Sequence, residues 1–200
     1  MHSYANEPSR RWKIIGLIAL VCWPVHHYLI GTVSNLSQVA GIPLTVPSVL
    51  TIFYGAFWCF RHVFWRGLAW IGLLDVDDLN GTWKGTLRTS HGDNFDEEYP
   101  FTLHIEQEWT RISVEAQTES SRSKSTSAFL ESDQSGSELT YTYRNRPEPS
   151  SEEGMATHEG TAKLRLEEGG RLVGRYYTGE GRGQYGEIKV VRQNQSWLSF

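Results

Sequence analysis

The chain has 200 residues, enough for one ordinary domain and a smaller annex. Its net charge of −4 divides unevenly: five basic side chains against one acidic give residues 1–74 a charge of +4, and 14 basic against 22 acidic give residues 75–200 a charge of −8. That acidity argues against non-specific wrapping of long nucleic acid, and the only cysteines, Cys22 and Cys59, lie in apolar runs and leave the second part without a disulfide scaffold.

From Ile14 to Phe60 there are 47 residues without Asp, Glu, Lys or Arg. That is too many for one membrane span and suits two. The expected helices are Trp12–Ile30, entered through Arg10, Arg11 and Lys13, and Pro47–Trp65, leaving through Arg61, His62 and Arg66. Basic residues at both outer flanks and none in the Gly31–Val46 connector place both termini in the cytoplasm and the connector in the periplasm. Residues 1–11 then form a cytoplasmic tail and 67–77 an interfacial linker. A cleaved signal peptide is the competing reading of the first segment, but the long apolar run lacks a small-x-small cleavage site. His26-His27 and His62 read as polar groups at helix contacts. Adjacent helical residues point about 100° apart and do not converge on one metal ion.

Residues 78–200 alternate in the manner of β-strands, with turn residues between the segments. Eight segments are expected: Gly81–Ser90, Phe95–Trp109, Arg111–Thr118, Lys124–Glu131, Glu138–Arg144, His158–Glu167, Arg171–Gly179 and Gly183–Arg192. The turns between them are His91–Asn94, Glu119–Ser123, Asp133–Gly136 and Glu168–Gly170, with a longer polar loop at Asn145–Gly154. Short sequential turns favour a closed eight-stranded antiparallel up-and-down β-barrel over an open Greek-key sandwich. The opening Gly81-Thr82-Trp83 resembles the first strand of lipocalin-like barrels, in which the Trp plugs the floor.

In such a barrel alternate strand ends meet at one rim. Trp83, Ile105, Ile112, Leu139, Leu164, Leu166, Leu172, Ile188 and Val190 gather at a dry floor, with Trp83 as its plug. Tyr99, Tyr141, Tyr143, Arg144, Tyr176, Tyr177, Thr178, Arg182 and Tyr185 gather at the other end. An eight-stranded barrel is wide enough for one small ligand, and aromatic faces, hydroxyls and arginines suit a nucleotide. The candidate ligand-binding residues are therefore Tyr141, Tyr143, Arg144, Tyr176, Thr178, Arg182 and Tyr185. Gly179-Glu180-Gly181-Arg182-Gly183 reads first as a hairpin turn. Neither a nucleophile elbow, a zinc-binding helix motif nor a phosphate-binding Walker loop occurs, and His91, His104 and His158 lack metal-ligand spacing. The barrel reads as a binding module without a metal, and not as an enzyme.

Two N-terminal spans, a barrel opening Leu79-Asn80-Gly81-Thr82-Trp83 and a late Tyr176-Tyr177-Thr178-Gly179 / Gly183-Gln184-Tyr185-Gly186 hairpin resemble one bacterial family. These are the two-transmembrane β-barrel effectors of cyclic-oligonucleotide-based antiphage signalling (CBASS), associated with CD-NTase nucleotidyltransferases. The resemblance implies a multi-pass inner-membrane protein whose cytosolic barrel binds a cyclic di- or oligonucleotide made during infection. It further implies that ligand drives homo-oligomerisation, that the spans disrupt the membrane lipid, and that the infected cell dies. The candidate site residues rest on the rim argument and not on the resemblance. Two other readings are a membrane-tethered lipid or fatty-acid carrier, which calls for an apolar lumen, and a structural anchor whose barrel is filled by side chains.

Overall fold

The computed structural model describes residues 1–3, 8–74, 76–90, 97–133, 136–147, 157–179 and 183–193. The chain forms two compact units, one helical and one β, and residues 1–3 group with the β unit.

Helix α1 covers Pro8–Ala40, and its Arg11–Ala40 portion is long and apolar enough to cross a bilayer. It overruns the expected end at Ile30 because Gly31, Asn35 and Ser37 weaken a helix without stopping it. Gly41 stops it, with φ 68 and an N–H bonded to the Ser37 carbonyl at 3.0 Å. Helix α2, Val49–Cys59, starts where Ser48 Oγ accepts the Thr51 N–H at 3.2 Å. It passes through a π turn, Phe60–Phe64, into α3, Trp65–Trp70. The histidines sit four residues after tryptophans: His27 packs on Trp23 at 5.3 Å, and His62 packs on Trp58 at 4.7 Å. Among the described residues one helix, and not the expected two, has both the length and the apolarity of a span. The 11 residues of α2 reach only about 16 Å, and the helix lengthens through a segment that carries Arg61 and Arg66.

The β unit contains a short β1, His2–Ser3, and eight longer strands. These are β2 (Gly81–Thr89), β3 (Glu98–Glu108), β4 (Arg111–Gln117), β5 (Ser121–Asp133), β6 (Gly136–Pro147), β7 (His158–Glu167), β8 (Arg171–Thr178) and β9 (Tyr185–Arg192). Each of the eight pairs antiparallel with the next, and β9 pairs back onto β2. This is the closed eight-stranded antiparallel meander that the alternation predicts. One seam is thin. Strands β4 and β5 pair only over Glu115–Gln117 and Arg122–Lys124, near their turn. Beyond it β5 bulges between Ser125 and Ser127, and Ser125 Oγ accepts the Val114 N–H at 3.0 Å. Farther along, the edge of β4 is taken by β1, with His2 opposite Ile112.

Inward residues follow the strand period of two, and on four adjacent strands, β2, β9, β8 and β7, they include the glycines Gly85, Gly186, Gly174 and Gly160. A Cβ at Gly85, Gly174 or Gly186 would fall within 2.0 Å of a carbonyl oxygen on the next strand. Only glycine permits this close approach, which lets the β2, β8 and β9 wall bend tightly.

Trp83, 1% exposed, closes the floor. Its indole N–H donates to the Leu79 carbonyl at 2.9 Å, and the Arg192 guanidinium lies 5.1 Å from its ring centre. Arg192 also donates to the carbonyls of Asp78 and Asn80. The strap formed by residues 76–80 is held from the opposite side by buried Gln107. The Gln107 side chain accepts the Leu79 N–H at 2.7 Å and donates to the Asp77 carbonyl at 3.0 Å, and its backbone N–H donates to Asn80 Oδ1 at 3.0 Å. Replacing Trp83 with Ala is expected to cost about 3–5 kcal/mol. Trp83→Phe, which keeps most of the volume but loses the indole donor, should cost about 1–2 kcal/mol. Denaturant unfolding of the detergent-solubilised chain, followed by circular dichroism, measures both.

Candidate functional site

The polar half of the lumen is built on β6. Leu139, Tyr141, Tyr143 and Asn145 share its inward face, two residues apart. The residues beside this column, His158 apart, are small. Tyr141 stands between Ala128 and Ala162, Tyr143 between Ser125 and Gly160, and Asn145 between Ser123 and His158. The rings of Tyr141 and Tyr143 lie 6.0 Å apart with a 50° tilt.

Glycine also decides where the tyrosines lie. A Cβ at Gly160 would come 2.4 Å from Tyr143 Oη, and one at Gly186 would come 2.5 Å from a ring carbon of Tyr176. Both phenol rings therefore lean over a neighbouring strand that offers only hydrogen beneath them. Tyr176 enters from β8 between Ala162 and Gly186, and its hydroxyl lies near Thr89 on β2. The hydroxyls of Tyr141 and Tyr143 and the amide of Asn145 form no hydrogen bond with any described residue.

Burial is the largest cause that pushes the Tyr141, Tyr143 and Tyr176 hydroxyls above the ordinary phenol range. The adjacent Tyr143 adds to the rise at Tyr141, and Tyr176 adds to the rise at Tyr143. All three are neutral hydrogen-bond donors at physiological pH. No Lys or Arg among the described residues takes an inward position in this half.

Four of the seven residues expected from sequence fall on the inward side. They are Tyr141, Tyr143, Tyr176 and Thr178, although Thr178 Oγ1 is committed to the hairpin turn. It accepts the Gln184 N–H at 2.8 Å and donates to the Gln184 carbonyl at 3.1 Å. Arg144 and Tyr185 lie at the expected height, but the strand alternation turns their side chains outward. Arg144 pairs with Glu159 at 2.7 Å, and Tyr185 is 53% exposed beside outward Tyr177. Arg182 lies outside the described residues. Thr89 and Gly160 are features of this site that the sequence reading passed over, and Asn145, expected to open the polar loop, instead continues β6. Counting by twos from Tyr141 reaches Asn145, and Gly160 stands inside a strand pattern, which signals close approach.

A family model described as "Cap15, cyclic dinucleotide receptor domain" matches residues 74–192. A curated relative from Yersinia aleksiciae, CD-NTase-associated protein 15, is 30% identical over 158 residues, covering 76% of this chain and 74% of the relative.

The raised tyrosine hydroxyls carry a consequence for stability. A folded state that holds phenolic protons more tightly than the unfolded chain is fully stabilised below about pH 10 and loses that stability as pH rises beyond it. We expect the unfolding midpoint to fall steeply above about pH 10, with a shallower fall in Tyr141→Phe. Tyrosinate absorbance should show Tyr141 and Tyr143 ionising only as the barrel opens.

Proposed function

The chain belongs to the family of the Cap15 cyclic dinucleotide receptor domain, and on that premise we propose that the polar half of its lumen receives the cyclic dinucleotide. The observation that carries this reading is the column on β6: buried tyrosines whose hydroxyls bond no described residue, flanked by Gly160, Ala162, Ser125 and Ala128. Bases stack on the Tyr143 and Tyr176 rings, and the hydroxyls and strand-end amides meet ribose and phosphate oxygens. An acyl chain in the same place would leave these polar groups unpaired, at a cost of roughly 1–3 kcal/mol each, so the lipid-carrier reading is the weaker one.

The wider proposal is that of an effector in CD-NTase-linked antiphage defence. Ligand binding favours a homo-oligomer, and assembly of the helical units in the inner membrane breaks the bilayer. For this to work the ligand must bind the assembled form more tightly than the single chain. Two crossings fit this scheme. Both ends of the helical unit continue into the β unit, through β1 at one end and the strap at residues 76–80 at the other. Ends held on one side of a bilayer require an even number of crossings. In this proposal the second crossing is made by α2 with its π turn and α3, with Arg61 and Arg66 reaching the headgroup region.

Calorimetric titration of the detergent-solubilised chain with cyclic dinucleotides tests the site. Saturable binding is expected, weakened about tenfold to hundredfold in Tyr143→Ala and Tyr176→Ala. Arg144→Ala is expected to bind within about twofold of the parent, since its exposed pair with Glu159 contributes little. Absence of binding to every cyclic dinucleotide would overturn the proposal. For topology, reporters fused to the N- and C-termini should both be cytoplasmic, and opposite locations would leave a single crossing.

A further inference from the structure

Asn145 ends the inward column of β6 and is a buried residue, with 7% relative exposure. Its backbone belongs to the ladder, facing Ser123 on β5 and His158 on β7. Its carboxamide bonds nothing among the described residues. A primary amide offers two donors and two acceptor sites, and this one stands on the inward face without a bond to a described residue, so its hydrogen-bonding capacity is free for a molecule that enters the lumen.

The chemistry of the group narrows the choice. A carboxamide presents a donor and an acceptor side by side, the pattern that pairs two-pronged with a nucleobase edge such as the N6/N7 side of adenine. Tyr143 lies on the same face of the same strand, one side-chain repeat away, about 7 Å along the strand. A base stacked on the Tyr143 ring brings its edge toward the Asn145 amide. Stacking is tolerant of base identity, because every base has a π face. Edge pairing is not.

We infer that Asn145 reads the edge of the base stacked on Tyr143, and that it sets which bases the site accepts. The inference rests on the ligand site proposed above and adds specificity to it. Tyr143 and Tyr176 supply affinity common to all cyclic dinucleotides, and Asn145 supplies the difference among them.

The test uses the full chain in detergent, titrated with cyclic dinucleotides built from adenine, guanine and uracil in different pairings. Each titration is repeated with Asn145→Leu, which keeps the size and removes both hydrogen-bonding functions. Asn145→Asp, which keeps only acceptors, and Asn145→Ser give independent variants. The preferred ligand of the parent should weaken about tenfold to hundredfold in Asn145→Leu, and the ratio between best and worst ligands should collapse toward one. Asn145→Asp should reorder the ligands toward bases that present donors. The unfolding midpoint of unliganded Asn145→Leu should equal or exceed that of the parent, because no bond within the protein is lost. Unchanged ligand ratios in all three variants would overturn the inference, as would a lowered midpoint in Asn145→Leu with unchanged ratios, which marks a structural amide. A parent chain that binds no member of the panel would instead overturn the ligand site itself, and this inference with it.

Discussion

A closed barrel of eight strands leaves little room inside, so how one end is filled decides what the other can do. Here the filling is Trp83. Its ring takes the floor, the Leu79 carbonyl accepts its only polar hydrogen, and Arg192 covers its outer face. The strap that brings the chain into the first strand is fastened to the same place by Gln107. A buried side-chain amide that satisfies two strap groups would be costly to remove, because the buried Leu79 N–H would then be left unpaired. The plug and the strap together make a one-ended container. In the proposed site the ligand occupies the other end, where Tyr141, Tyr143, Tyr176 and Asn145 face inward.

The wall is uneven, and the unevenness follows from glycine. On β2, β8 and β9 the glycines sit where a side chain would strike the next strand, so that wall bends closely. On β7, Gly160 faces Tyr143 and lets the phenol extend sideways over the sheet. The same residue type thus does two jobs, tightening the wall in one place and seating a ring in another. Across the barrel the β4–β5 seam depends on a few ladder pairs, one serine hydroxyl and the two residues of β1. Few backbone bonds cross it.

Most of this fold was legible in the sequence. Alternation and turn residues define eight strands, and the observed strands begin and end within a few residues of the expected ones. The Trp83 position followed from its place two residues into the first strand. Two things escaped. Sorting residues by height along the barrel placed Arg144 and Tyr185 with Tyr143 and Tyr176. Height says nothing of direction, and one step along a strand reverses it. Arg144 is one residue from Tyr143 and points the other way. The helical unit was harder, because a run of uncharged residues fixes no helix end. The first helix continues until the left-handed backbone of Gly41 stops it, and an isolated Gly31 could not do so.

The strap that leads into the first strand is fastened at the Trp83 end of the barrel, while the proposed ligand site lies at the opposite end. That separation constrains how binding can influence assembly. A ligand that contacted one rigid barrel alone, identically in free and assembled chains, would bind both equally and shift nothing. The coupling must therefore come from a wall that differs between the two states or from contacts at the open end. The barrel is well suited to the first. Tyr143 is bracketed by Ser125, whose hydroxyl holds the seam, and by Gly160, on which its phenol end rests. In the proposed site a base stacked on Tyr143 sits beside the sparsely paired β4–β5 seam. Ligand contact and seam geometry are then two descriptions of one local packing problem, and they share the residues through which affinity can be converted into a change of shape.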